Sequence, residues 1–184
     1  MNKIYLIVLL LFTFQVSSQE LEKVIVYYPN SETIKESYTV LKTDENIKHG
    51  EYKLFTKLST IKETGFYDYG NKTGVWETNI YVNDARITKK FDFDNNQELN
   101  PEISVGVNYP QICKELMLEG TVNVIYKVNS DCSIDSIEIM NESHEEFEKE
   151  AIRIVNKLDV LQQKYSKVKC KEERVEKAIT FNLD

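Results

Sequence analysis

The sequence predicts an α+β protein in which an N-terminal antiparallel sheet of β-hairpins precedes a β-β-α-β unit with a short helix in front of it. Three observations support this fold class. Aromatic residues and spaced glycines fill the first half, a hairpin pattern and an amphipathic helix pattern follow in the second, and the last residues alternate again. Hydrophobic residues make up 41% of the 184-residue chain, which suits a globular core and not a disordered chain.

Charge and residue usage exclude several function classes. The chain has 23 Lys and Arg against 30 Asp and Glu, and this net charge of -7 opposes binding to nucleic acid or anionic lipid, since both need basic contacts to phosphate. His49 and His144 are the only histidines in the sequence, and Cys113, Cys132 and Cys170 the only cysteines. We therefore predict no metal site, no cofactor and no catalytic residue, hence a protein that is not an enzyme.

A short motif at His144 tests this expectation. His144-Glu-Glu-Phe-Glu148 looks like the start of a zinc-protease helix, but such a site needs a second histidine at position 148. The chain has Glu148 there, and acidic residues in the first turn of a helix are explained by the helix dipole. No Gly-x-Ser-x-Gly nucleophile motif occurs in the sequence.

Residues 1–18 are predicted to be a cleaved signal peptide. Lys3 gives a basic start, Ile4 to Phe14 an apolar run, and Val16-Ser-Ser18 a small-residue cleavage pattern. An uncleaved membrane anchor is the alternative, but the run has 11 residues and a spanning helix needs about 20. We expect a periplasmic protein, or else a secreted or surface-associated one, with no stable membrane insertion after cleavage.

Residues 19–93 are predicted to form a β-rich domain. Aromatic residues are frequent in it, and four of its glycines lie close to them: Gly50, Gly65, Gly70 and Gly74. The 24-residue interval from Gly50 to Gly74 fits one hairpin and its turn, with glycine at a positive-φ corner. In the order Gly50-Glu-Tyr52, Gly65-Phe-Tyr67 and Gly70-Asn-Lys-Thr-Gly74-Val-Trp76, the segment resembles the bacterial form of the MORN-type repeat.

A linker is predicted at 94–101. The stretch Asp92 to Pro101 combines turn-forming and solvated residues with almost no periodic apolar signal. It divides the β-rich domain from a second domain, 102–184.

The second domain shows a hairpin, a helix and a final strand. Thr121 to Val128 and Ile134 to Met140 alternate around a polar turn and predict the hairpin, with a short helix before it from Pro110 to about Leu118. Ser143 to Glu146 has capping-box form and opens an apolar stripe. The stripe consists of Phe147, Ala151, Ile154, Val155 and Leu158. Val175, Lys177, Ile179, Phe181 and Leu183 alternate with polar residues and predict the last strand.

Several spaced motifs of this domain belong together. They are Tyr109-Pro110, Gly120 to Val128, Asp131 and Ser133-Ile134 in the turn, Ile137 and Ile139, Glu150-Ala151, and Ile179-Thr-Phe181. In these motifs the segment resembles the TonB C-terminal domain, of the type found in Bacteroidetes. It departs from the family pattern in two loops: Cys132 replaces the usual turn glycine, and Leu158 to Lys169 lacks the usual Trp-x-Pro-Gly segment.

The expected strand order brings two cysteines together. If the third strand lies beside the first, its start lies close to the hairpin turn. Cys132 belongs to that turn and Cys170 precedes the last strand, whereas Cys113 lies near the opposite end. We therefore predict a Cys132–Cys170 disulfide, favoured by an oxidising compartment. Three unpaired thiols are the alternative.

The last strand is predicted at an open sheet edge, where free N–H and C=O groups can accept a strand from a partner. The predicted partner-binding residues are Arg174, Val175, Glu176, Lys177, Ala178, Ile179, Thr180 and Phe181. The TonB resemblance implies the same edge, with a TonB-dependent outer-membrane transporter as the protein partner. Two alternatives remain: charged residues between Lys171 and Lys177 protect the edge from pairing, or a second copy of the chain covers it as a homodimer.

Two functions therefore remain open. The first is a non-enzymatic envelope protein that binds a transporter or envelope protein at its C-terminal edge. The second is a structural or adaptor protein that binds partners through the MORN-like sheet. An aromatic face around Tyr52, Tyr67, Trp76 and Tyr81 would serve the second function, although aromatic residues in short hairpins more often pack across strands.

Overall fold

The computed structural model describes residues 20–183, and the predicted signal peptide at 1–18 lies outside them. The first seven strands are β1 (Leu21–Tyr27), β2 (Ile34–Leu41), β3 (Asp44–Phe55), β4 (Ile61–Asp68), β5 (Asn71–Val82), β6 (Ala85–Asp92) and β7 (Gln97–Val105). The remaining elements are α1 (Gln111–Glu115), β8 (Gly120–Val128), β9 (Ile134–Ile139), α2 (Glu145–Tyr165) and β10 (Glu173–Phe181).

The strands form two antiparallel sheets. β1 to β7 follow one another in chain order as a seven-stranded meander, and the second sheet has the order β10-β8-β9. The predicted α+β fold class is confirmed, including the short helix before the β-β-α-β unit. Within residues 20–183, neither helix combines the length and apolar character that crossing a membrane would require.

The sequence predicted that the glycines of the first sheet form positive-φ corners of hairpins. In the structure their roles differ from one another. Gly70, with φ +82°, lies at the β4–β5 turn as expected. Gly50, with φ +99°, lies instead within β3, where a Cβ atom would be 2.4 Å from the Thr39 hydroxyl. At Gly65 a Cβ would lie 2.3 Å from the Trp76 ring. Gly65 is therefore needed for close packing and not for a corner.

An aromatic cluster covers part of one face of this sheet. Trp76 is buried, stacks on Tyr52 with ring centroids 5.5 Å apart, and meets the edge of Tyr67 at 5.0 Å. Tyr81, which the sequence grouped with them, is five residues from Trp76 in β5 and so lies on the opposite face. The predicted aromatic face thus contains three of its four members, packed across strands.

Most of the segment predicted as a linker, 94–101, belongs to β7. Asp92 Oδ1 accepts the N–H groups of Asp94 and Asn95 and closes a turn, after which Gln97 pairs with Asp92 and Val105 with Ala85. The polar composition of this segment reflects a turn followed by a half-exposed strand. Its side chains did not reveal the pairing, because they are exposed or half-buried.

One hydrophobic core joins the two sheets. Helix α2 contacts β8 and β9 of the second sheet and β7 of the first. The buried residues from the first sheet, Ala85, Ile87 and Val105, belong to the same cluster as Val122, Val124, Phe147, Ala151, Ile154, Val155, Leu158, Ile179 and Phe181. The predicted apolar stripe of α2 is confirmed, and the end of the first sheet completes its burial.

The start of α2 differs by one residue from the predicted capping box. His144 is the N-cap, and its Nδ1 accepts the N–H of Glu146 at 3.3 Å. Ser143 instead donates a hydrogen bond from its hydroxyl to Glu148 at 3.0 Å. Serine is the more common cap, but an imidazole nitrogen accepts the same N–H group here.

Candidate partner-binding edge

Strand β10 lies at the edge of the second sheet. It pairs with β8 without a register shift, from Glu173 opposite Val128 to Phe181 opposite Gly120. Within the described part of the chain no other strand pairs with it. The structure therefore places all eight residues predicted for partner binding, 174–181, on an edge strand.

The backbone contacts of β8 show which groups of β10 are free. The N–H of Asn123 donates to Asn141 Oδ1 at 2.7 Å, and its C=O accepts the Met140 N–H at 2.9 Å, so both backbone groups point toward the β9 side. Ala178 is opposite Asn123. In an antiparallel pair, the backbone N–H and C=O groups of the two residues either point toward each other or point away from each other. Because those of Asn123 point away from β10, those of Ala178 point away from β8 and face outward.

The same direction repeats every second residue along a strand. Arg174, Glu176 and Thr180 therefore also present their N–H and C=O groups on the outer edge. Leu183 is odd-numbered, unlike these residues, and its N–H donates inward to Glu119 at 2.7 Å, in agreement with this assignment. The edge offers a row of four outward residues at regular spacing.

Side chains of odd-numbered residues anchor β10 in the core. Ile179 and Phe181 are 3% and 1% exposed. The Phe181 ring stacks on Phe147 of α2 with centroids 4.2 Å apart. The buried side chains hold the strand, while the residues with outward backbone groups are exposed to solvent.

The opposite edge of the same sheet is much less suited to strand addition. β9 has six residues against nine in β10, and its pairing with β8 shifts register between Ile125 and Lys127. Ser136, in the middle of β9, has a φ of +54°. Irregular backbone of this kind protects an edge from further pairing.

The predicted disulfide is confirmed. Cys132 and Cys170 are bonded, with Cα atoms 5.1 Å apart, and the N–H of Cys170 donates to Ser130 at 3.0 Å. The bond ties the segment before β10 to the β8–β9 turn. Cys132 has a φ of +68°, which explains why glycine is usual at this position in the family that the sequence resembles.

The third cysteine approaches a histidine, which the sequence did not indicate. Cys113 is buried, and its sulfur lies 3.3 Å from His144 Nδ1. Burial raises the pKa of the Cys113 thiol, so the neutral form is favoured over the nucleophilic thiolate. The same Nδ1 caps α2. We interpret the pair as a structural contact of the helix start.

A charged network that the sequence did not predict joins the two halves of the chain. Glu150 is 8% exposed and accepts the Asn108 N–H at 2.7 Å and the Arg153 Nε–H at 2.6 Å. Arg153 also contacts Asp84 at 3.0 Å, and Lys157 pairs with the same aspartate. Asp84 lies in the β5–β6 turn, so the network connects α2 to the first sheet.

Comparison with known proteins concerns the second half of the chain. The family model described as "Gram-negative bacterial TonB protein C-terminal" matches residues 105–183. Residues 105–183 are a TonB C-terminal domain. Such a domain implies binding of a TonB-dependent transporter, and its family has no known catalytic activity. Searches of curated proteins and of solved structures found no match to the chain.

The TonB C-terminal domain contains the edge, both disulfide cysteines and α2. Its presence, together with the disulfide, is consistent with an envelope or periplasmic protein. Among residues 20–183 no group of three histidine, cysteine or acidic side chains is arranged to hold a metal ion.

Proposed function

We propose that the chain is a non-enzymatic periplasmic protein whose TonB C-terminal domain binds an extended segment of a TonB-dependent outer-membrane transporter, and that this segment adds to β10 as a further strand. The main support is the row of outward N–H and C=O groups at Arg174, Glu176, Ala178 and Thr180. Strand addition satisfies these groups through the backbone, independently of most side chains.

The dimensions of the edge fit a short peptide. The nine residues of β10 span about 30 Å at the usual rise per residue. The disulfide and the Phe181–Phe147 stack fix the two ends of the strand, so little ordering of the edge is required on binding. The signal peptide proposed at 1–18 would bring this surface to the compartment that transporter segments reach.

The first prediction concerns the outward N–H of Ala178. Ala178→Pro removes this donor but none of the hydrogen bonds between β10 and β8, because proline is tolerated where an edge N–H faces solvent. Binding of synthetic peptides that represent the periplasmic segments of the organism's TonB-dependent transporters should fall at least about tenfold, as measured by calorimetry.

Ala178→Thr is the matched control, since it retains the N–H and suits a strand. It should bind as the wild type does, and both variants should show the wild-type circular dichroism spectrum. Equal peptide affinity for Ala178→Pro and Ala178→Thr would contradict strand addition at β10.

The second candidate is an adaptor that binds through the first sheet, which we propose to be MORN-like. A cleft of about 360 Å³ on the aromatic side of that sheet supports it, with Trp76, Phe91 and Phe93 among the lining residues. Phe93 is 39% exposed. If Phe93→Ala abolishes capture of envelope proteins and Ala178→Pro leaves it intact, the adaptor function is favoured.

A further inference from the structure

Lys177 differs from the other half-buried basic side chains of residues 20–183 because its ammonium group has no partner. It lies in the middle of β10 between Val175 and Ile179 on the same face, opposite the fully buried Val124 of β8. The Lys177 side chain is therefore half-buried on the helix-facing side of the sheet, at its open edge. No hydrogen bond, ion pair or ring contact within residues 20–183 involves its ammonium group.

The other half-buried lysines and arginines of the described chain all have a partner. They are Lys35, Lys48, Lys53, Lys72, Lys90, Arg153 and Lys157, which pair with carboxylates, and Lys89, which lies over the Tyr165 ring. Partial burial weakens the hydration of an ammonium group, and a nearby carboxylate compensates for it. Among residues 20–183, Lys177 has no such compensating carboxylate.

An added strand would bring a side chain next to Lys177. Since the backbone groups of Lys177 point toward β8, its pair with a residue of an antiparallel added strand is of the non-hydrogen-bonded kind, with Cα atoms about 4.5 Å apart. Side chains approach most closely in such pairs. The neighbouring same-face positions of the added strand lie beside Val175 and Ile179, which are apolar.

We infer that Lys177 selects the partner segment: an extended peptide with a carboxylate side chain beside Lys177 and apolar side chains two residues before and after it. This inference rests on the proposed function and adds the chemistry of the partner to it. The same lysine disfavours a second copy of the chain, because two-fold pairing centred on it would place two ammonium groups side by side.

The test uses three synthetic β-forming peptides that differ only at the central residue, which is Glu, Gln or Lys and has apolar residues at the positions two before and two after. Affinities are measured by fluorescence anisotropy for the full-length protein. The wild type should bind the Glu peptide about tenfold more tightly than the Lys peptide. Lys177→Glu should reverse this preference, and Lys177→Gln should abolish it.

Lys127→Glu is the matched control, because Lys127 is an exposed lysine of β8, outside the edge strand, and the change in net charge is the same. It should keep the wild-type preference. Circular dichroism should show that all three variants are folded.

The outcomes separate the two proposals. If the wild type binds all three peptides equally and Ala178→Pro still abolishes binding, strand addition stands and the role of Lys177 is refuted. An unchanged Glu preference in Lys177→Gln refutes it as well, since the lysine stem would then only cover apolar surface. If no peptide binds the wild type, the proposed function fails and the inference fails with it.

Discussion

At the scale of single residues, Tyr52 illustrates how the aromatic cluster depends on its surroundings. Tyr52 is 7% exposed, and the ammonium group of Lys48 lies 4.7 Å from the centre of its ring. Burial, followed by the negative charges of Glu36 and Glu63, raises the pKa of Tyr52 to about 12. The phenol is therefore kept neutral in the folded protein, whereas in the unfolded chain it ionises near its ordinary pKa of 10.0.

This difference predicts a loss of stability at alkaline pH. Between pH 10 and about 12 the unfolded chain releases the Tyr52 proton before the folded chain does, so the free energy of unfolding falls as pH rises through this window. Below pH 10 the contribution is fully retained. Tyr52→Phe cannot ionise, and its unfolding free energy, measured by urea denaturation, should decline less steeply over the same range.

Tyr27→Phe is the matched control, because Tyr27 is 52% exposed in β1. It should follow the wild-type pH dependence. Parallel declines for wild type and Tyr52→Phe would show that the Tyr52 phenol ionises equally readily in both states.

At the scale of the element, the disulfide holds β10 beside β8. Cys132 and Cys170 are 38 positions apart, and Asn100 of β7 donates to the Lys169 carbonyl at 3.2 Å just before the second cysteine. The segment between α2 and β10 has no regular structure of its own between Ser166 and Glu172. The cross-link therefore restrains the entry into the edge strand.

Removal of the cross-link should destabilise the domain. The double variant Cys132→Ser and Cys170→Ser should lose about 3 to 4 kcal/mol of unfolding free energy, because a long loop of the unfolded chain is no longer closed. Urea denaturation measures the change, and amide hydrogen exchange should quicken first in β10. Reduced wild-type protein is the control and should behave like the double variant. A midpoint unaffected by either change would contradict a stabilising role.

At the scale of the whole molecule, the seven-stranded sheet and the TonB C-terminal domain depend on each other for burial. Ala85, Ile87 and Val105 share the core of α2. In addition, Glu150 and Arg153 link the helix to the Asp84 turn and to the Asn108 backbone. We therefore expect the two parts to unfold together.

Glu150 is the residue that tests this connection. Glu150→Ala removes the buried acceptor of the Asn108 N–H and one of the two carboxylates that contact Arg153, and should lower the unfolding free energy by about 1 to 3 kcal/mol. Glu145→Ala, which breaks an exposed pair with Lys149 on the same helix, should have little effect. Calorimetry should show one transition for the wild type. Two separate transitions would contradict the shared core.

The sequence could predict most secondary structure of the TonB C-terminal domain because its signals are local. Alternation in 121–128 and in the last strand, and the apolar stripe from Phe147 to Leu158, report which side of each element is buried. The strand order followed from these elements, and with it the disulfide and the edge position of β10. β7 was missed because its partners are set by a turn at Asp92, and its polar side chains carry no periodic pattern.

By itself the sequence determined the fold class, and with an assumed strand order it predicted the cross-link and the edge strand, since period, spacing and cysteine position are properties of the chain. Only the tertiary structure decided which backbone groups of β10 face outward, that Lys177 has no partner among residues 20–183, and that α2 contacts both sheets. These features depend on residues far apart in sequence, such as Ala178 and Asn123 or Glu150 and Asn108. Their distances are set by packing, which no local pattern encodes.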